Sequence, residues 1–176
     1  MDAADHVQRG REAFARRAWK DAHAALSSGP LAAEDLERLA TAAYMLGDEA
    51  EYLAVLERAH QAHVEVEPAV RCAFWIGLQL TLRGETGGAT GWLGRGQRLL
   101  GDRDCVERGY LALLASLQRG DEAELAAAVE AGQRFGDTDL LSLAVHELGS
   151  VRMRHGQVAA GLSLLDEAMV AVLADE

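Results

Sequence analysis

The sequence predicts an all-α protein built from repeated helix-turn-helix units, and three observations carry that expectation. The first is composition. Ala, Leu, Glu and Arg dominate the 176 residues, and there are only two prolines, a mixture that favours helix. Val and Thr are scattered, with no alternating run of the kind a half-buried strand needs. The second is punctuation. Gly47 in "YMLGDEAEY", Gly84 in "LTLRGETGG", Gly120 in "SLQRGDEAE" and Gly156 in "RMRHGQVAA" are separated by 37, 36 and 36 residues. Each follows an amphipathic segment of about four turns and precedes another. Such a period marks a repeat array. The third is agreement within the register. Ala40, Gly77, Leu113 and Gly149 stand seven residues before the turn glycines. Leu56, Leu93, Val129 and Leu165 stand nine after them, and Ala59, Gly96, Gly132 and Ala168 twelve after. Small residues recur where helices must approach, and a branched apolar residue recurs where a core is filled.

Taken in order, the first unit is "GREAFARRAWKDAHAAL", with Gly10 as the small residue, Arg17 at the turn and Leu26 as the filler. Four further units follow, about ten helices in one domain spanning 1–176. In the first three glycine turns an acid comes next (Asp48, Glu85, Asp121), which suits the N-terminus of the following helix. "RCAFWIGLQLTLR" reads as a helix of thirteen residues or more, ending at Gly84. The Gly-rich "RGETGGATGWLGRGQ" raises the question of a phosphate loop. It has no lysine and no preceding strand, so neither nucleotide-binding pattern is met. Gly87, Gly91 and Gly94 instead fall at i, i+4 and i+7. The expectation is a helix from about Thr86 to Leu100 that packs tightly through its missing side chains. The closing "VAAGLSLLDEAMVAVLADE" reads as the second helix of the last unit. Leu162, Leu165, Met169 and Val172 form one apolar stripe and Leu164, Ala168 and Ala171 a second. Repeat arrays need a polar cap at their ends. This end is therefore expected to be covered, by a second copy of the chain or by residues outside this sequence, a symmetric dimer being the simplest closed arrangement.

The net charge of −11 comes without a basic stripe, which argues against direct nucleic-acid binding and against an anionic membrane surface. No signal peptide or membrane span is evident, and Cys72 and Cys105 are spaced like two reduced, buried thiols in a cytoplasmic protein. No enzyme constellation emerges. His60-x-x-His63 supplies only two metal ligands on one face, and Cys72 is not locally placed to help, so solvated histidines are the expectation, with no metal and no cofactor. "VHELGS" lacks the second histidine of a zinc-protease motif, and no Gly-x-Ser-x-Gly elbow exists.

The turn glycines, the small residue on each first helix and the small residue late on each second helix together resemble the tetratricopeptide (TPR) repeat family. "GSVRMRHGQVAAGLSLLDEAM" carries the best match. The units are degenerate: the family's aromatic near the start of the first helix is missing, and Tyr52 and Leu125 stand where a small residue is usual. The resemblance implies a right-handed solenoid of about five degenerate TPR-like repeats with a concave groove lined by first helices. Carried over position by position, that groove includes Phe14, Glu37, Thr41, Tyr44, Arg71, Phe74, Leu78, Tyr110, Leu114, His146, Met153 and Arg154. Phe74 and Leu78 are equally readable as core. The implied role is a binding scaffold for a protein or peptide, or for a small apolar ligand, with Arg71 and Arg154 as anion hooks. With asparagine absent, the family's lysine-and-asparagine carboxylate clamp cannot form. The stretches "FARRAWKDAHAALS", "EDLERLATAAYMLGDEAEYLAVLERAH", "CAFWIGLQLTLRGE" and "DEAMVAV" also resemble the repeat region of actinobacterial LuxR-type transcription regulators. That resemblance implies a sensory or interaction region. A free-standing TPR adaptor or a self-associating structural protein is the alternative.

Overall fold

A computed structural model describes residues 3–174, except for the side chains at positions 3, 4, 171, 172 and 174. The described residues form ten α-helices and no strand: α1 (Ala3–Ala15), α2 (Trp19–Leu26), α3 (Ala33–Met45), α4 (Glu49–Ala62), α5 (Val66–Leu82), α6 (Thr86–Leu100), α7 (Val106–Arg119), α8 (Glu122–Phe135), α9 (Thr138–Arg154) and α10 (Val158–Ala174). They fall into two compact units, 1–76 and 77–176, divided within α5.

The expected turns are where the register puts them. Gly47, Gly84, Gly120 and Gly156 all have φ between 69° and 82°, and Arg17 takes the same left-handed conformation at 56°. This backbone reversal lets the amide after the turn reach back into the helix just ended. Asp48 N–H donates to Ala43 C=O, Glu85 to Leu80 and Gln157 to Arg152, each at 2.9 Å, closing carbonyls that the helix leaves open. The acids after the turns divide by length. Asp48 and Asp121 cap α4 and α8 with their carboxylates. Glu85 does not cap α6, and pairs with Arg83 at 2.8 Å instead.

Within the units, helices meet at missing side chains. A Cβ on Gly10 would lie 2.6 Å from the Leu26 side chain, and one on Gly149 would lie 3.0 Å from Leu165. These are the small residue and the filler that the register pairs. Gly132 brings α8 onto the backbone of α9, with Leu141 Cα 3.0 Å from where its Cβ would be. Gly109 abuts Ala131 and Leu140 in the same way.

The helix from Thr86 to Leu100 is present, but the face assigned to its glycines is corrected. A Cβ at Gly87 or Gly91 would meet nothing within 4 Å, and at Gly94 only the end of the Arg98 side chain. That stripe faces solvent. The buried stripe is Ala89, Leu93, Gly96 and Leu100, which has the same helical period and contains the two leucines that gain most from leaving water.

In the first unit a buried ion pair ties α1 to α3. Asp35 accepts from Arg11 Nε at 2.8 Å and Arg11 NH2 at 2.7 Å, and from Arg38 NH1 at 2.8 Å. Its side chain is almost fully buried, while those of Arg11 and Arg38 remain 48% and 36% exposed. The hydrogen bond from Arg11 holds the Asp35 carboxyl below the usual aspartate range, against the opposing effect of burial; the charge of Arg11 and the bond and charge of Arg38 add to it.

Gly91→Ala is expected to stabilise the protein by about 0.5–1 kcal/mol, because it removes backbone entropy at a site with open space. Gly132→Ala is expected to destabilise it, because the obstacle is backbone; thermal melting of the two variants reads opposite signs. Asp35→Asn is expected to cost about 1 kcal/mol, because the two arginines left behind regain water, whereas Arg11→Ala with Arg38→Ala costs more by stranding a buried carboxylate. Since the folded carboxyl titrates below the unfolded one, its stabilisation is complete above the ordinary value of 3.8 and is lost as pH falls through the folded value. Urea melts across that acid range check this, with Asp35→Asn removing that contribution.

Candidate functional site

In the first unit, α3 presents Glu37, Thr41 and Tyr44 at i, i+4 and i+7, three of the positions assigned to the groove. Tyr44 is 51% exposed and its ring lies 5.1 Å from that of Tyr52 on α4. Tyr52 is half-buried. Burial first, then the proximity of Tyr44 and Cys72, pushes its phenol above the ordinary tyrosine range. The bulky residue at the place where a small one is usual thus packs against an exposed aromatic.

The same unit holds a cluster drawn from α3, the end of α4 and α5. The carboxylate of Glu37 on α3 meets His63 Nε2 at the C-cap of α4 in a short hydrogen bond. Cys72, in the second turn of α5, completes the set: one ligand-type atom from each of Glu37, His63 and Cys72 lies within 4.8 Å of the other two. The His63 side chain is 5% exposed and that of Glu37 39%, so the cluster has one open edge. Burial, reinforced by the charge of Glu37, pushes the Cys72 thiol up to about 12, which leaves it protonated and unreactive at neutral pH. The histidine pair considered in the sequence is split by the fold. His60 Nδ1 contacts the Ala69 carbonyl at 2.8 Å, while His63 turns to Glu37. The reading of His63 as solvated, and of Cys72 as too far to help, is therefore corrected: the turn between α4 and α5 folds the thiol back over the α4 terminus.

In the second unit, Tyr110 and Leu114 are fully buried and line no open surface. The Tyr110 hydroxyl donates to Asp137 Oδ1 at 2.8 Å, and the same oxygen caps α9 through Leu140 N–H. A ring placed in the groove by register is a core residue whose polar tip is satisfied internally. Phe74 in the first unit is likewise fully buried, and Arg71 and Leu78 are half-buried. His146, Met153 and Arg154 are exposed on α9. Arg154 is held by Glu147 at 2.9 Å, which blunts it as an anion hook.

The second unit also carries a cleft of about 520 Å³ between the end of α6, the start of α7 and the length of α8. Its floor includes Gly109, Ala112 and Ala131, and Asp104 and Arg134 stand at its edge as an ion pair with contacts of 2.9 and 2.5 Å. The bond from Arg134 holds Asp104 below the usual aspartate range. Arg108 spends its guanidinium on the Gly101 and Arg103 carbonyls. Cys105, the N-cap residue of α7, is half-buried beside this cleft rather than fully buried. Sequence reasoning missed this place, because two of its three walls are second helices and the groove was sought on first helices.

No protein-family model matches the chain, and no curated protein matches it. Among solved structures, it is similar to a crystal structure from Podosopora anserina of nearly identical TPR-like repeats assigned to a kinesin light chain. The TM-score is 0.57 at 12% identity, with 98% of this chain and 96% of that one covered. The fold is thus that of an all-α, TPR-like helical-repeat protein. No described helix is long and apolar enough to cross a membrane.

Proposed function

We propose that this chain is a non-enzymatic scaffold that binds a peptide segment of a partner protein, and that the α3 face of the first unit is its principal contact. The observation that supports this most is Tyr44, a large aromatic left half in water beside Tyr52. Tyrosine is among the residues enriched where binding energy concentrates on recognition surfaces. On the second unit, the exposed His146 and Met153 of α9 occupy the corresponding first-helix face. The resemblance of several stretches to LuxR-type regulators supports a role as the interaction region of a transcription regulator. A coding sequence that runs past Glu176 into a helix-turn-helix domain would favour the regulator, and a stop codon there the free-standing adaptor. Peptides selected on the purified chain from a random display library test the scaffold reading. Tyr44→Ala is expected to weaken them at least tenfold, while Leu82→Ala, remote in sequence and exposed, leaves them unchanged. Equal binding by wild type and Tyr44→Ala would refute the assignment of this face.

A second reading is favoured by α10. Leu162 is 48% and Met169 61% exposed, and Val158, Val170 and Leu173 are exposed with them. The stripe expected from the sequence is altered: Leu165 turns inward onto Gly149, and the Val172 side chain lies outside the described residues. The exposed remainder supports self-association of two copies through α10, since uncovered apolar surface of this kind marks an interface. Sedimentation at micromolar concentration is expected to show a dimer that Leu162→Glu with Met169→Glu converts to monomer; a monomeric wild type overturns it.

A further inference from the structure

The cluster of Glu37, His63 and Cys72 offers a mixed donor set: one carboxylate oxygen, one imidazole nitrogen and one sulfur. Each comes from a different helix or helix cap, and their atoms lie within 4.8 Å of one another. Two of the three side chains are almost fully buried. We propose that Glu37, His63 and Cys72 form a three-ligand site for a zinc-class divalent cation, with a fourth position open at the Glu37 edge.

Charge and softness both favour this ligand. A dication held by a thiolate and a carboxylate, with a neutral imidazole, makes a site of zero net charge, the condition under which burial costs least. Thiolate and imidazole together select a borderline-soft metal and disfavour magnesium or calcium, which take oxygen ligands. The distances are close to what such an ion needs. With bonds of about 2.0–2.3 Å, tetrahedral ligands stand about 3.5 Å apart, so the site forms when Glu37 and His63 part slightly and the wider separations, all within 4.8 Å, draw in.

The proton balance is explicit. The Cys72 thiol, neutral without a cation, loses its proton to solvent when the metal–sulfur bond forms. His63, whose Nε2–H donates to the Glu37 carboxylate without a cation, gives up that proton to solvent and takes one on Nδ1, so the ring stays neutral while Nε2 turns to the metal. The short bond between Glu37 and His63 is replaced by two bonds to the ion. The open edge is where the Glu37 side chain is 39% exposed, which gives both an entry path and room for a water as the fourth ligand. Joining α3, the α4 terminus and α5 through one ion stabilises the folded unit, because the unfolded chain holds no such site.

Cobalt(II), a spectroscopic stand-in for zinc, tests the proposal by titration into the full-length metal-free protein. The expected result is a thiolate-to-cobalt charge-transfer band that saturates at one equivalent, disappears in Cys72→Ser and persists in Cys105→Ser. Zinc is expected to displace cobalt and to raise the melting temperature. Glu37→Gln, a change at the exposed edge, is expected to fold and to weaken cobalt by more than the roughly 10–100-fold typical of losing an outer hydrogen-bond partner of a metal ligand. Absence of the band, or a band unaffected by Cys72→Ser, overturns the site. If Cys72→Ser does not fold, unchanged cobalt affinity in Glu37→Gln overturns it.

Discussion

How near two helices can come is decided where a side chain is missing. At Gly10, Gly109, Gly132 and Gly149 the neighbouring helix occupies the space a Cβ would need. Those contacts fix the approach of α1 to α2, α7 and α8 to α9, and α9 to α10. Everything placed on these helices depends on that approach. Tyr110 reaches Asp137 because Gly109 has let α9 draw close, and the Asp137 carboxylate can then accept a phenol and a helix N–H together. These contacts need a small residue at only a few positions, and volume-conserving change elsewhere in the core is tolerated.

Much of that constraint was legible in the sequence because it is local and periodic. The pairs Gly10 with Leu26 and Gly149 with Leu165 emerge from counting residues on either side of a turn, and both are in contact. The turn residues themselves were legible down to Arg17, a non-glycine recognised only by its place in the register. What periodicity does not provide is the direction of a stripe. On α6 the row of Gly87, Gly91 and Gly94 and the row of Ala89, Leu93, Gly96 and Leu100 share one period. Only the heavier side chains of the second row decide which faces inward.

The candidate site was less legible, for two reasons. A first helix in such an array is packed on more than one side, so a shift of a single residue moves a side chain from an open face to the core. Tyr44 and Tyr110 were assigned alike, and one is half in water while the other is sealed. The Glu37, His63 and Cys72 cluster is assembled across three helices, and its sequence separations follow no local rule. His63 attracted notice for the wrong partner, His60, because helical spacing is the only neighbourhood a sequence displays.

The bare face of α6 sets up a contrast in protection from water within one unit. Along α7 the residues from Gly109 to Ser116 are buried without interruption, even where Gly109 and Ala112 floor the cleft. Along α6 the backbone at Gly87 and Gly91 has no side chain above it, and water reaches the peptide groups directly. Opening one turn there exposes little apolar surface, so it requires no disturbance of α7 or α8. Amide hydrogens on the glycine face of α6 therefore exchange through local fluctuation, and those of α7 only when the whole unit unfolds. Two adjacent helices of similar length thus sit near opposite ends of the scale of local stability.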